Sequence, residues 1–170
     1  PGRLTISDVG IGIGSQTVQM QRALHFISEG RSAATIRTTG GSPAASIHAS
    51  GDITVEGLLN VGETGLSSPT MTLSGQIAGP GTLRLVHAAT ITLTGNNSFT
   101  GGTEIVRNVR IGSDTALGSG PIWIENGANT TIIGAINGPR TISNPVQFIP
   151  QGGGETLEFV GLNSLMFTST

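Results

Sequence analysis

The segment from Thr90 to Ile124 reads TITLTGNNSFTGGTEIVRNVRIGSDTALGSGPIWI, which leaves little room for anything but short strands joined by tight turns. Ile91 and Leu93 flank Thr92, and Gly95-Asn96-Asn97 then breaks the run. Phe99 precedes Gly101-Gly102, and Ile105 opens the next alternation. Val109 and Ile111 form another, closed by Gly112-Ser113-Asp114. Leu117-Gly118 and Gly120-Pro121 turn the chain again before Ile122 and Ile124. Apolar residues at every second position line one side of a strand, and Gly, Asn and Pro punctuate the runs.

The rest of the chain has the same character. Leu4-Thr5-Ile6, Ala34-Thr35-Ile36, Ser46-Ile47-His48, Asp52-Ile53-Thr54-Val55 and Leu58-Leu59-Asn60-Val61 all read as strands. Thr17 to Ser28 is ambiguous: Met20, Ala23, Leu24 and Ile27 fit a helical face, whereas Val18, Met20, Leu24 and Phe26 fit a strand. Its strand-rich surroundings favour two strands. The 27 Gly and 36% hydrophobic residues are wrong for a helical protein and lack the strict period of collagen. A mean hydropathy of +0.14 argues against disorder.

The central segment resembles the autotransporter-associated β-strand repeat. Its usual form is L-x-G-x-N-x-[YF]-x-G-x-T, a strand, then A-L-G-x-G-x-[VI]. Leu93, Gly95, Asn97, Phe99, Gly101, Thr103, Ala116, Leu117, Gly118, Gly120 and Ile122 match that form. Met71 to Leu83 resembles the S-G-x-I-x-G-x-G-x-L segment that precedes it, and Arg140 to Val146 the R-x-I-x-N-P-[IV] segment that follows. Leu165-Met166-Phe167-Thr168 falls where a second copy of the Met71 segment begins, a period of about 95 residues. The resemblance implies an all-β, right-handed parallel β-helix within a secreted or cell-surface bacterial protein. It covers residues 71–170 of a single 170-residue β-helical domain or fragment, and residues 1–70 are β-rich without a recognised motif.

About eighteen strand candidates, three to a coil, give about six rungs and a rod about 30 Å long. Expected inward positions are Ile53, Val55, Leu83, Leu85, Ile91, Leu93, Ile105, Ile122, Ile124, Phe148, Leu157 and Phe159. Both termini read as strands without a capping helix, so Leu4 and Ile6 at one end and Leu165 and Phe167 at the other are candidate end-to-end contacts. The chain is either cut from a longer one or meets other copies there.

Little in the sequence points to chemistry. Charged residues make up 11%, the net charge is −2, and the eight basic residues are scattered Arg, which gives no handle for nucleic acid or an anionic membrane. No run of about 18 apolar residues inserts into a bilayer. The absence of Cys removes disulfides, zinc thiolates and Cys nucleophiles, and suits the export that the resemblance implies. Gly10, Gly12 and Gly14 have the wrong spacing for a dinucleotide loop. His25, His48 and His87 are isolated, and each reads as a surface or half-buried strand residue rather than a metal ligand. Gly152-Gly153-Gly154-Glu155 lacks the Asp and the repetition of a calcium nonapeptide. Asp8, Asp52 and Asp114 are far apart in sequence, and Glu155 and Glu158 face opposite sides of a strand. Asn96 and Asn97 read as turn residues that cap neighbouring backbone groups rather than as ligand contacts.

Trp123, the one Trp, lies between Ile122 and Ile124 and therefore points outward if they point in. There it either stacks on a sugar or partner or is covered by a loop. The sequence thus predicts no enzyme, cofactor or metal site. It predicts a structural module, stalk or adhesin, whose partners are a host or cell-surface ligand or other copies of itself in a filament; the alternative is a carbohydrate-binding or polysaccharide-acting β-helix.

Overall fold

A computed structural model describes residues 4–7, 10–13, 17–28, 33–38, 46–62, 70–86, 90–126, 130–150 and 156–169. The first coil carries β1 (Leu4–Ser7), β2 (Gly10–Ile13) and β3 (Thr17–Met20). The second carries β4 (Leu24–Ile27), β5 (Ala34–Thr38) and β6 (Ser46–Ala49). Then come β7 (Ile53–Glu56), β8 (Leu58–Val61) and β9 (Thr70–Leu73), followed by β10 (Ile77–Ala78), β11 (Thr82–Leu85) and β12 (Ile91–Leu93). The next two coils have two strands each: β13 (Thr103–Ile105) with β14 (Val109–Ile111), and β15 (Ile122–Asn126) with β16 (Thr130–Ala135). The last elements are β17 (Arg140–Ile142), β18 (Val146–Pro150), β19 (Thr156–Phe159) and β20 (Leu165–Phe167). Among the described residues there is no helix, and the ambiguous Thr17–Ser28 segment forms β3 and β4.

The strands stack in parallel as a β-solenoid. Two sheets hold seven strands each, in the orders β2-β5-β8-β11-β13-β15-β18 and β3-β6-β9-β12-β14-β16-β19. A third side begins as β1-β4-β7-β10 and resumes as the pair β17-β20. Seven strands at about 4.8 Å put the outermost ones about 30 Å apart. Dividing the strand count by three gives too few coils because two coils lack a third strand. Coil length also varies: the chain travels much further from Leu24 to its partner Ile53 than from Ile91 to its partner Val109.

Period 2 places the core as expected through the middle of the stack. Ile53, Val55, Leu83, Leu85, Ile91, Leu93, Ile105, Ile122 and Ile124 are buried with columns of similar residues above and below. Burying one such side chain contributes about 1.5–3 kcal/mol. The expectation fails for Phe148 and Phe159, which are 59% and 54% exposed, and Leu157 is only partly buried. They pair in register with Ile124, Ile133 and Thr131, so they stand in inward columns. They lie on β18 and β19, however, the outermost strands of their sheets, and no described strand stacks beyond them.

Glycines, Gly95, Gly101 and Gly120 of the repeat motif among them, form two columns at the corners. Gly51, Gly75 and Gly95 lie above one another, and a β-carbon on any of them would collide with the backbone carbonyl of the coil beneath. Ser113 takes the next place, donating its hydroxyl to the Gly95 carbonyl at 2.7 Å. Gly57, Gly81, Gly101 and Gly120 make the second column, just before β8, β11, β13 and β15.

Where two coils lack a third strand, side chains take over the hydrogen bonding. Asn97 is buried; its Oδ1 accepts from the Ile77 amide below (2.8 Å) and its Nδ2 donates to the Ala116 carbonyl above (2.6 Å). Asn144, also buried, donates to the Gly118 and Gly120 carbonyls at 3.0 and 2.7 Å. Phe99 fills the interior there and is fully buried.

Gly75→Ala is expected to destabilise the protein by about 2 kcal/mol or more, because the β-carbon meets backbone that cannot move aside. Gln76→Ala, next to it but exposed, should stay within about 0.5 kcal/mol. Urea unfolding midpoints of the two variants check this.

Candidate functional site

The outer wall of the seven-strand sheet that contains β15 carries the most chemistry. Ile122 and Ile124 are buried, so Trp123 faces outward as the alternation predicts, and it is half-buried. Its ring atoms Cζ3 and Cη2 lie against Gly102, where a β-carbon would touch them. Gly102 has a φ of +97°, which suits glycine in any case.

Register places Asn60, Arg84, Glu104, Trp123 and Gln147 in one outward column on successive strands. Arg84 spans three of these coils. Its Nη2 donates to Glu125 Oε2 at 3.1 Å, and its Nε lies 2.9 Å from Glu104 Oε2. The latter contact is within ion-pair range but too poorly aligned to count as a hydrogen bond. Burial pushes the Glu104 carboxyl above its ordinary value; nearby Arg84 opposes that shift and Glu125 adds to it. Sequence reading missed this cluster. Arg84, Glu104 and Trp123 are far apart along the chain, so they form a signal only once the coil length is known.

The other candidates resolve into structural parts. Asp52 accepts the Gln76 amide at 3.2 Å and Asp114 the Thr141 amide at 3.1 Å, so each carboxylate ties one coil to the next. His48 Nε2 lies 3.1 Å from the Ser74 hydroxyl and is half-buried, as expected. His25 departs from expectation: it is buried, and Glu56 of the following coil meets it with Oε1 2.7 Å from Nε2. Asn96 is exposed, while Asn97 acts through its amide side chain and not through a left-handed backbone. Among the described residues no three His, Asp or Glu are grouped to hold a metal ion. Asp8, His87 and the Gly152–Glu155 tract lie outside the described residues.

The candidate end contacts fall on outer strands. Leu4 and Ile6 sit on β1, paired with Leu24 and Phe26 of β4. Leu165 and Phe167 sit on β20, paired with Arg140 and Ile142, and both are partly buried. The Phe167 ring meets Phe159 edge-on with centroids 5.9 Å apart.

These features define an all-β solenoid whose polar groups mostly bind one coil to the next. Over 67 residues, 39% of this chain, the sequence is 34% identical to a protein named adhesin BmaC autotransporter from Brucella suis biovar 1 (strain 1330). The chain spans about 2% of that relative's length. No known family profile matches the chain, and no solved structure does.

Because the folded-state value of Glu104 is raised, its contribution to stability is fully present below the unfolded value and is lost as pH rises through the folded one. The stability of the native protein relative to Glu104→Gln should therefore fall as pH increases above 4.5. Parallel urea titrations of the two proteins across that range check the sign.

Proposed function

We propose that this chain is a stiff, non-catalytic spacer in a bacterial surface protein of the autotransporter-passenger kind, serving as stalk or adhesive shaft outside the cell. The observation that carries this reading is the pair of seven-strand parallel sheets, paired in register from end to end. A stack of this kind fixes the distance between what lies before it and what lies after it. The likeness to an autotransporter adhesin supports a surface setting. With no Cys in the chain, no disulfide can form to hinder export.

The rod is tested by labelling the double variant Gln19→Cys and Glu158→Cys, whose positions lie on the outermost strands β3 and β19. The expected result is one narrow dye separation of about 30 Å, widened only by the dye linkers, that holds until the protein unfolds. A broad distribution in native buffer would sink the stalk reading.

We also propose a second reading, self-assembly of copies of this chain, on the strength of one exposed apolar patch. The exposed large hydrophobics among the described residues are Phe148, Phe159, Leu162 and Met166, all on or between β18 and β20. Such an edge templates further pairing, and head-to-tail contact between copies is open and builds fibres. A second copy placing its β2 and β3 over β18 and β19 brings its β1 onto the place that β20 holds, so one of these strands must yield. If copies join this way, sedimentation will show growth with concentration, and Phe159→Asp will abolish it. A constant 17.2 kDa species at all concentrations removes this reading.

A further inference from the structure

The outer wall around Trp123 differs from its counterpart on the other seven-strand sheet. There the matching column runs His48, Thr72, Thr92, Arg110 and Gly134, mostly short side chains. On the Trp123 wall, five successive coils present Asn60, Arg84, Glu104, Trp123 and Gln147, with Glu125 two residues beyond Trp123 on the same side of its strand. At about 4.8 Å per coil this column is about 19 Å long. The large planar hydrogen-bonding groups of this stretch therefore gather in one strip.

The strip carries two carboxylate acceptors, Glu104 and Glu125. One guanidinium serves two carboxylates, and carboxylates only accept hydrogen bonds when ionised. Asn60 Oδ1 and Arg84 Nε are both enclosed without a hydrogen-bond partner. The indole adds an apolar ring, held in place against Gly102. A surface with one aromatic ring beside several acceptors complements a molecule with a C–H face and projecting hydroxyls. Two carboxylates against one Arg leave a local negative charge, which disfavours acidic sugars.

We propose that this strip binds a neutral hexopyranose oligosaccharide lying along the column. Trp123 stacks on a sugar ring, Glu104 and Glu125 accept its hydroxyls, Arg84 holds both carboxylates in place, and Asn60 and Gln147 flank the chain. The proposal goes beyond the spacer reading, and its failure would leave the dye-separation result untouched.

Trp123 is the only Trp and the chain has no Tyr, so indole emission reports this position alone. The native protein is titrated with cellohexaose, maltohexaose and chitohexaose, with hexagalacturonate as the acidic comparison and spermidine as a cationic one. The expected result is a saturable emission change with at least one neutral oligosaccharide and none with the other two probes. By calorimetry, Trp123→Leu, which keeps an apolar cover over Gly102, should weaken that binding about tenfold, equal to about 1.4 kcal/mol. Gln147→Ala, at an exposed position, should weaken it about threefold with an unchanged melting temperature. The proposal is overturned if no neutral oligosaccharide alters the emission at millimolar concentration. A response to hexagalacturonate or spermidine alone overturns it too, as does binding that survives both substitutions unchanged.

Discussion

Parallel backbones in this protein lie about 4.8 Å apart, one coil directly over another, and that spacing governs almost every residue choice. At a corner the chain turns so tightly that the space above each α-carbon is already taken by the carbonyl of the coil beneath. Gly51, Gly75 and Gly95 meet that condition at one corner and Gly57, Gly81, Gly101 and Gly120 at the other. Along the strands the same spacing brings like positions together, so the interior is built of columns and the exterior of ladders. Where the third side has no strand, backbone groups still need partners, and Asn97 and Asn144 supply them from buried amides.

The motif residues thus have separate physical duties. Gly95, Gly101 and Gly120 make room, Asn97 replaces a strand ladder, Phe99 fills the interior, and Thr103 donates its hydroxyl to the Leu117 carbonyl at 2.9 Å. Of these, Asn97 reaches both the coil before it and the coil after it through one side chain. A motif of this kind specifies a way of stacking and carries no instruction about chemistry. That explains how the pattern can be legible while the partner of the whole molecule is not.

Much of the fold was readable because alternation and turn residues are local. Ile91-Thr92-Leu93 and Ile122-Trp123-Ile124 declare their inward sides without reference to anything distant. Properties that depend on what lies one coil away were not readable. Phe148 and Phe159 are exposed on the outermost described strands, and His25 is buried with Glu56 of the next coil bonded to it. The Arg84 cluster was hidden for a related reason: its members are one coil apart and distant along the chain, and coil length itself varies, being far longer from Leu24 to Ile53 than from Ile91 to Val109.

That freedom in coil length has its own consequence. Strand pairing and the corner glycines hold the interior in register whether a coil is short or long. Lengthening a surface loop costs little free energy, since closure entropy grows only slowly with length. The protein therefore couples an interior of fixed geometry to an editable periphery. Residues added between strands therefore leave the pairing of the strands themselves unchanged.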